Sequence, residues 1–169
     1  FKGLTDGTPC GLLHPYLKGW AVPYNEWPED LQEEYSYNPA RAKQLLAEAG
    51  YPNGFKTDIV TSSDRDLELL QTIKSHLIDI NVDMEIKAMD FPIWMALVSE
   101  FKYDQMVYAP HTGQTGLPLS SIQTRIKGNM MNHGGVDDPA FDKMYQNIGN
   151  ATGIEEAQRL VKEADMYAL

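Results

Sequence analysis

Apolar positions along the chain fall into short blocks whose period changes from one block to the next. Ala42, Leu45, Leu46 and Ala49 recur at the i, i+3, i+4, i+7 spacing of a single helical face. That block is punctuated at both ends. Asn38 is a good N-cap, and Pro39 sits at the first helical position, where its missing N–H costs nothing. Gly50 can take the left-handed conformation that ends a helix, and Pro52 prevents its continuation. Pro52-Asn53-Gly54 then turns the chain into a run at 55–61 that reads as a buried strand. A second stripe, Leu69, Leu70, Ile73, Leu77 and Ile80, predicts a helix over 64–80. Val82, Met84, Ile86 and Ala88 alternate with Asp83, Glu85 and Lys87, the period of a half-buried strand. Asp90 is placed to cap a third helix over 92–101, and 103–109 reads as a third strand.

Strand, helix, strand, helix, strand with short connections is the pattern of parallel crossover units, so the class is α/β. A Gly-rich polar stretch over 110–136 breaks it. Asp138 and Pro139 then open a fourth helix with Phe141, Met144, Tyr145 and Ile148 on one face. Gly149 or Gly153 separates it from a last amphipathic run through Ile154, Ala157, Leu160, Val161, Ala164 and Ala168. Residues 1–37 carry neither period; they read as an irregular segment pinned to a surface by Trp20 and Trp27, with a turn of helix at 29–34. The expected organisation is therefore an irregular 1–37 packed on one α/β lobe, 38–169. The chain opens at Phe1 and closes inside a helical pattern, so both ends read as cuts through a longer protein, and a missing targeting signal is uninformative.

Composition narrows the function classes. A chain of 169 residues with 43% apolar and 22% charged residues can bury a real core. No apolar run approaches the ~18 residues of a membrane span. A formal net charge of −10 argues against nucleic acid or an anionic membrane as main partner. One cysteine, Cys10, excludes an internal disulfide and paired-cysteine metal patterns. Gly-x-Ser-x-Gly, His-Glu-x-x-His, Walker and Gly-x-Gly-x-x-Gly motifs are absent, so no enzyme activity is expected.

In open α/β sheets, ligands sit beyond the carboxyl ends of the strands. This directs attention to Thr61-Ser62-Ser63, to 89–91, and to the run from Tyr108 through Pro110, His111 and Thr112. The hydroxyls could donate to a polar ligand, or Ser62 or Ser63 could simply cap the next helix at Asp64. Tyr108 and His111 could contact a ligand, or be a packed aromatic and a surface loop. The candidate ligand-binding residues are thus Thr61, Ser62, Ser63, Tyr108, Pro110, His111, Thr112 and Asn132. His111 and His133 lack a firm third ligand, so neither metal nor cofactor is expected.

The stretch Tyr37-Asn38-Pro39-Ala40-Arg41-Ala42-Lys43-Gln44-Leu45-Leu46-Ala47-Glu48-Ala49-Gly50-Tyr51-Pro52-Asn53-Gly54-Phe55 resembles a block of the family 5 extracellular solute-binding proteins. The likeness continues, in the family's order, through Leu70-Gln71, the Leu77-x-x-Ile80-Asn81-Val82 joint, Phe101-Lys102-Tyr103-Asp104, and Asn132 through Lys143. The resemblance implies a lobe of the periplasmic-binding-protein type (type II, cluster C), with a mixed, mostly parallel sheet flanked by helices. It implies the peptide, nickel or oligosaccharide receptor of an ABC importer, which closes two lobes on a small solute. On that reading this chain is the C-terminal lobe, a monomer partnered by a membrane permease, periplasmic or extracellular and membrane-associated when full length. Alone it should bind poorly. The family's aspartate after the third strand, which pairs with a peptide's amino terminus, has no counterpart in the run 108–118; this favours a sugar, a modified peptide or another neutral molecule. Asn81 stands where the family often has Gly and is the next best left-handed residue. Two other readings remain: a sensor or chaperone lobe that binds a protein through apolar surface near Trp20 and Trp27, and a small enzyme with clustered, strongly shifted titratable groups.

Overall fold

The computed structural model describes residues 7–109 and 118–169. In chain order the elements are α1 (Glu29–Glu34), α2 (Pro39–Glu48), β1 (Phe55–Ser62), α3 (Leu67–Ile78), β2 (Val82–Met89), α4 (Phe91–Ser99), β3 (Met106–Val107), α5 (Pro118–Ile122), α6 (Pro139–Gly149) and α7 (Ile154–Tyr167). Two compact units result, one formed by Tyr37–Pro110 and the other by Phe1–Ser36 with His111–Leu169.

In the first unit the punctuation around α2 works as its residues dictate. The Asn38 side chain accepts from the Arg41 N–H at 3.0 Å. Gly50, at φ +91°, closes the helix, with the Tyr51 N–H donating to the Leu46 carbonyl at 2.8 Å. Packing contributes less than the stripe suggested: no residue of α2 is buried, and Leu45 is 48% exposed. Local capping, not burial, accounts for this helix among the described residues.

The sheet has the order β2-β1-β3 with every pairing parallel. β1 and β2 pair along their whole length, from Phe55 opposite Val82 to Ser62 opposite Met89. Because side chains alternate across a sheet, Ile59, Met84, Ile86 and Met106 share one face, where Leu67, Leu70 and Leu77 of α3 complete a cluster. Ile59, Leu70 and Met84 are buried there, each worth roughly 1.5–3 kcal/mol, while the other members of the cluster are partly buried. Val60 lies on the other face, against which α4 packs with Trp94 and Val98 buried. Asp58 and Lys87 share that second face and pair at 2.8 Å; the hydrogen bond from Lys87 to Asp58 raises the lysine's pKa. β3 is shorter than the 103–109 run predicted: only Ile59–Met106 and Val60–Val107 pair, extended by Tyr108 N–H donating to the Val60 carbonyl at 2.9 Å.

The second unit is helical. Leu13, Ile122, Phe141, Ile148, Val161 and Ala164 form its core, with Trp20, Met144 and Tyr145 half-buried against it. Asp138 caps α6, its Oδ1 accepting from the N–H groups of Ala140 and Phe141 at 2.9 and 3.2 Å. Trp27 is buried, with Nε1 donating to the Val22 carbonyl at 3.0 Å and its ring set edge-on to Tyr24 and Tyr35. Residues 118–169 group with the N-terminal segment, α6 and α7 burying their apolar faces around Leu13.

Candidate functional site

The three parallel strands deliver their carboxyl ends side by side, at Ser62, Met89 and Tyr108. Beyond β1 the chain makes a tight turn, Arg65 N–H donating to the Ser62 carbonyl at 3.1 Å, and Ser63 N–H ties this turn to the Met89 carbonyl at 2.8 Å. The helix that follows starts at Leu67, later than the predicted 64, because Asp66 is the cap: its Oδ1 accepts from the Leu69 N–H at 3.2 Å. Neither Ser62 nor Ser63 therefore caps it. Freed from that role, Ser62 donates its hydroxyl to Oδ1 of Asp64.

Arg65 is the cation at this edge. Its guanidinium carbon lies 5.8 Å from the centroid of the Trp94 ring and 6.0 Å from that of Phe91, within the range of cation–π attraction. Its Nε stands 3.8 Å from Oδ1 of Asp64, the oxygen that Ser62 holds. Nε is buried and makes no hydrogen bond among the described residues. The edge thus carries a chain of contacts from Ser62 to Asp64 to Arg65, with Arg65 backed by two aromatic rings of α4's first turn.

The predicted ligand-facing residues divide among several roles. Thr61 and Ser62 are fully buried, and the Thr61 hydroxyl turns to the Ser62 carbonyl at 3.5 Å, so both shape the edge from beneath. Ser63 is exposed. Tyr108 is half-buried and packs on the cluster of Ile59, Leu70 and Met84. Asn132 belongs to the other unit and is buried. Its Nδ2 donates to the carbonyls of Ile126 and Val136 at 3.1 and 2.8 Å, and its Oδ1 accepts from the Val136 N–H at 3.0 Å. That amide braces the loop between α5 and α6. Pro110, His111 and Thr112 lie outside the described residues. Phe91 lies in the 89–91 strand end that the sequence pointed to, whereas Asp64 and Arg65 were not singled out as ligand-facing; the available signal was a strand-end Asp-Arg-Asp next to an aromatic at the following strand's end.

Other chemistry is sparse. Among the described residues no three His, Cys, Asp or Glu gather as a metal-holding group. The Cys10 thiol is pushed up, by desolvation first and then by the charge of Asp165, the reverse of an activated nucleophile. No helix of the described residues is long and apolar enough to cross a membrane.

Comparison with known proteins places this edge in a family. The family model described as bacterial extracellular solute-binding proteins, family 5 Middle, matches residues 14–129. The glutathione-binding protein GsiB of Pectobacterium atrosepticum is 37% identical over 85 residues, which is 49% of this chain and 15% of that protein. GsiB of Escherichia coli K12 is 33% identical over the same shares. A dipeptide-binding protein of Pseudoalteromonas sp. SM9913, solved with Met-Leu, superposes with a TM-score of 0.76 at 19% identity, over 95% of this chain and 32% of that one. The periplasmic binding protein DppA of Helicobacter pylori, solved with the peptide STSA, gives 0.75 at 21% identity, over 95% and 31%. The match therefore spans about 15% of the length of these curated relatives, and the structural neighbours share the α/β periplasmic-binding-protein fold. By the extent of the family match, the chain belongs to the family 5 bacterial extracellular solute-binding proteins.

Proposed function

We propose that this chain is part of the receptor of an ABC importer, capturing a small polar solute outside the cytoplasm and presenting it to a membrane permease. The observation that carries the reading is the common carboxyl edge of β1, β2 and β3, where exposed Ser63 and half-buried Arg65 stand beside Met89 and Phe91. Ligands of parallel sheets bind at that edge. The solute-facing set then comprises Ser63 and Arg65, together with Pro110, His111 and Thr112, while Thr61, Ser62 and Tyr108 support it from below. Closure of a second lobe would bury the solute and supply most of the binding energy. No bond is made or broken, and the relatives are binding proteins.

The relatives named for glutathione, Met-Leu and a tetrapeptide favour a peptide-like solute over a sugar-like one. Location follows the same logic: periplasmic or extracellular, held at the membrane in the full-length protein, as a monomer beside its permease. The sensor or chaperone reading asked for apolar surface at Trp20 and Trp27. Trp27 is buried and Trp20 half-buried, so that feature does not support it.

Native mass spectrometry of the full-length protein, purified gently from its own host, tests the reading. A discrete added mass that denaturation removes is the expected result. An empty protein with no melting shift against peptides or sugars would overturn it.

A further inference from the structure

We propose that the apolar stripe of α2, with the Tyr51 and Phe55 rings that follow it, is a docking surface for another part of the same full-length receptor polypeptide. The proposal rests on the receptor reading above in one respect only, that the whole protein is longer than this chain. Its structural neighbours are longer: this chain covers 32% of one and 31% of another.

Ala42, Leu45, Leu46 and Ala49 fall within about 100° of one another round the helix axis. Arg41, Lys43, Gln44 and Glu48 take the rest of the circumference, where Gln44 bonds Glu48 at 2.7 Å and Arg41 stands 3.9 Å from the same carboxylate. Patterning of this kind belongs to a helix with one face covered. Here that face is wet: no residue of α2 is buried, and Leu45 is 48% exposed. The ten residues of α2 also fall below the ~12–15 that an isolated helix needs in water, so capping alone leaves it short of tertiary support.

The surface runs on past the helix. The Tyr51 N–H donates to the Leu46 carbonyl at 2.8 Å, which keeps Tyr51 at the last turn. Its ring meets that of Phe55 with centroids 5.2 Å apart, and the two are 52% and 39% exposed. Scattered exposed apolar side chains need no cause, but a contiguous run marks an interaction surface.

Geometry and size select the occupant. Phe55 opens the eight-residue β1 and Ser62 ends it, so the patch lies roughly 23 Å of strand away from the carboxyl edge where the solute is placed. Separate molecules need about 1,000 Å² of buried surface to associate stably, and α2 offers a stripe only ~15 Å long. A segment of the same polypeptide needs no such area, because its tether already limits its freedom. The stripe carries no charge, so it fits an apolar helix or strand face and not an acidic or basic partner.

Hydroxyl-radical footprinting of the full-length receptor, read residue by residue by mass spectrometry, tests the proposal. Leu45, Tyr51 and Phe55 should be oxidised about tenfold more slowly in the folded than in the unfolded protein, as buried side chains are. Oxidation at roughly half the unfolded rate, the level that their exposures here of 48%, 52% and 39% imply, would overturn it. The footprint is repeated at a dilution where sedimentation shows a monomer. Protection that persists there supports an occupant within the same chain; protection lost there assigns the face to a second copy and overturns the proposal. Two substitutions to a residue of like helix propensity give a second reading. Leu45→Gln should lower the melting temperature of the full-length receptor by several degrees, while Lys43→Gln, on the opposite face, should leave it within about one degree. Equal effects of the two would also overturn the assignment. No solute enters either measurement, so an empty receptor, which defeats the receptor reading, leaves this result intact.

Discussion

Gly54 and Asn81 meet backbone to backbone, so closely that a Cβ on Gly54 would fall 1.9 Å from the Asn81 carbonyl oxygen. Both have positive φ, +72° and +63°. Each immediately precedes a strand, and those strands begin opposite one another at Phe55 and Val82. The contact therefore sets where two parallel strands start, and with it the register that carries Ser62 level with Met89.

Gly54→Ala should accordingly destabilise the fold by about 2–4 kcal/mol. Left-handed geometry alone costs a non-glycine residue about 1–2 kcal/mol, and the clash with a backbone carbonyl adds to it. Asn81→Gly should stay within about 1 kcal/mol of the parent, since Asn already tolerates this conformation. Urea unfolding of both variants measures the difference. A Gly54→Ala protein of parent stability would show that the two strand entries move independently.

Phe101 closes α4 in the way that Gly50 closes α2, but without glycine's freedom. Its φ is +52°, its N–H donates to the Val98 carbonyl at 3.2 Å, and the Lys102 N–H reaches Leu97 at 2.8 Å. That is the Schellman pattern with a bulky residue at its left-handed position. Phe101→Gly should raise stability by up to about 1 kcal/mol, relief of strain exceeding glycine's extra unfolded-state entropy. A loss larger than that would mean that the half-exposed Phe101 ring makes contacts worth more than the strain.

How far the sequence reveals the fold depends on how local the cause is. Asn38, Asp138 and Gly50 act within a few residues of themselves, and the helices they bound appear where the periodicity put them. The start of α3 was misplaced because Asp66 caps it while Asp64 is taken by the Ser62 hydroxyl, a choice between neighbouring aspartates that no pattern announces. The grouping of 118–169 with the N-terminal segment is also invisible locally, since it rests on Leu13 meeting α6 and α7. At the candidate site the strand ends were legible from alternation. Arg65 was not, because its meaning comes from Phe91 and Trp94, which the crossover connection brings beneath it.

Asp165 is 1% exposed and holds the N-terminal segment, its Oδ1 accepting from the Leu13 N–H at 3.2 Å across 152 positions of sequence. Burial raises its pKa, and the N–H groups of Leu13 and Leu12 offset only part of that. A carboxyl whose folded pKa exceeds its unfolded value binds more protons when folded. Its contribution is then complete below the unfolded pKa and is lost as pH rises through the folded one. Asp165→Asn keeps an acceptor and removes the charge, so its stability relative to the parent should improve as pH rises past the ordinary aspartate range and level off above the raised folded pKa of Asp165. Asp165→Ala should instead lose about 1–3 kcal/mol at all pH values by orphaning buried N–H groups. A parent and Asn variant that keep parallel pH profiles would show that Asp165 titrates normally.

Asp138 pulls the other way. The backbone N–H of Phe141 is the main cause of its lowered pKa, with further support from the Tyr167 hydroxyl and the N–H of Ala140. Tyr167 donates to Oδ2 at 3.0 Å, so one carboxylate both caps the start of α6 and ties it to the end of α7. Because this folded pKa lies below the unfolded one, the stability it confers is present above the unfolded value and is lost as pH falls through the folded one. Tyr167→Phe should move the Asp138 carboxyl titration up toward the ordinary aspartate range without reaching it, since both N–H donors remain. Acid unfolding should then begin at a higher pH than in the parent. Carboxyl-carbon NMR titration reads the first shift, and far-UV circular dichroism against pH reads the second. An Asp138 that titrates unchanged in Tyr167→Phe would show that the bond between α6 and α7 is not kept in solution, leaving the cap alone to hold its charge.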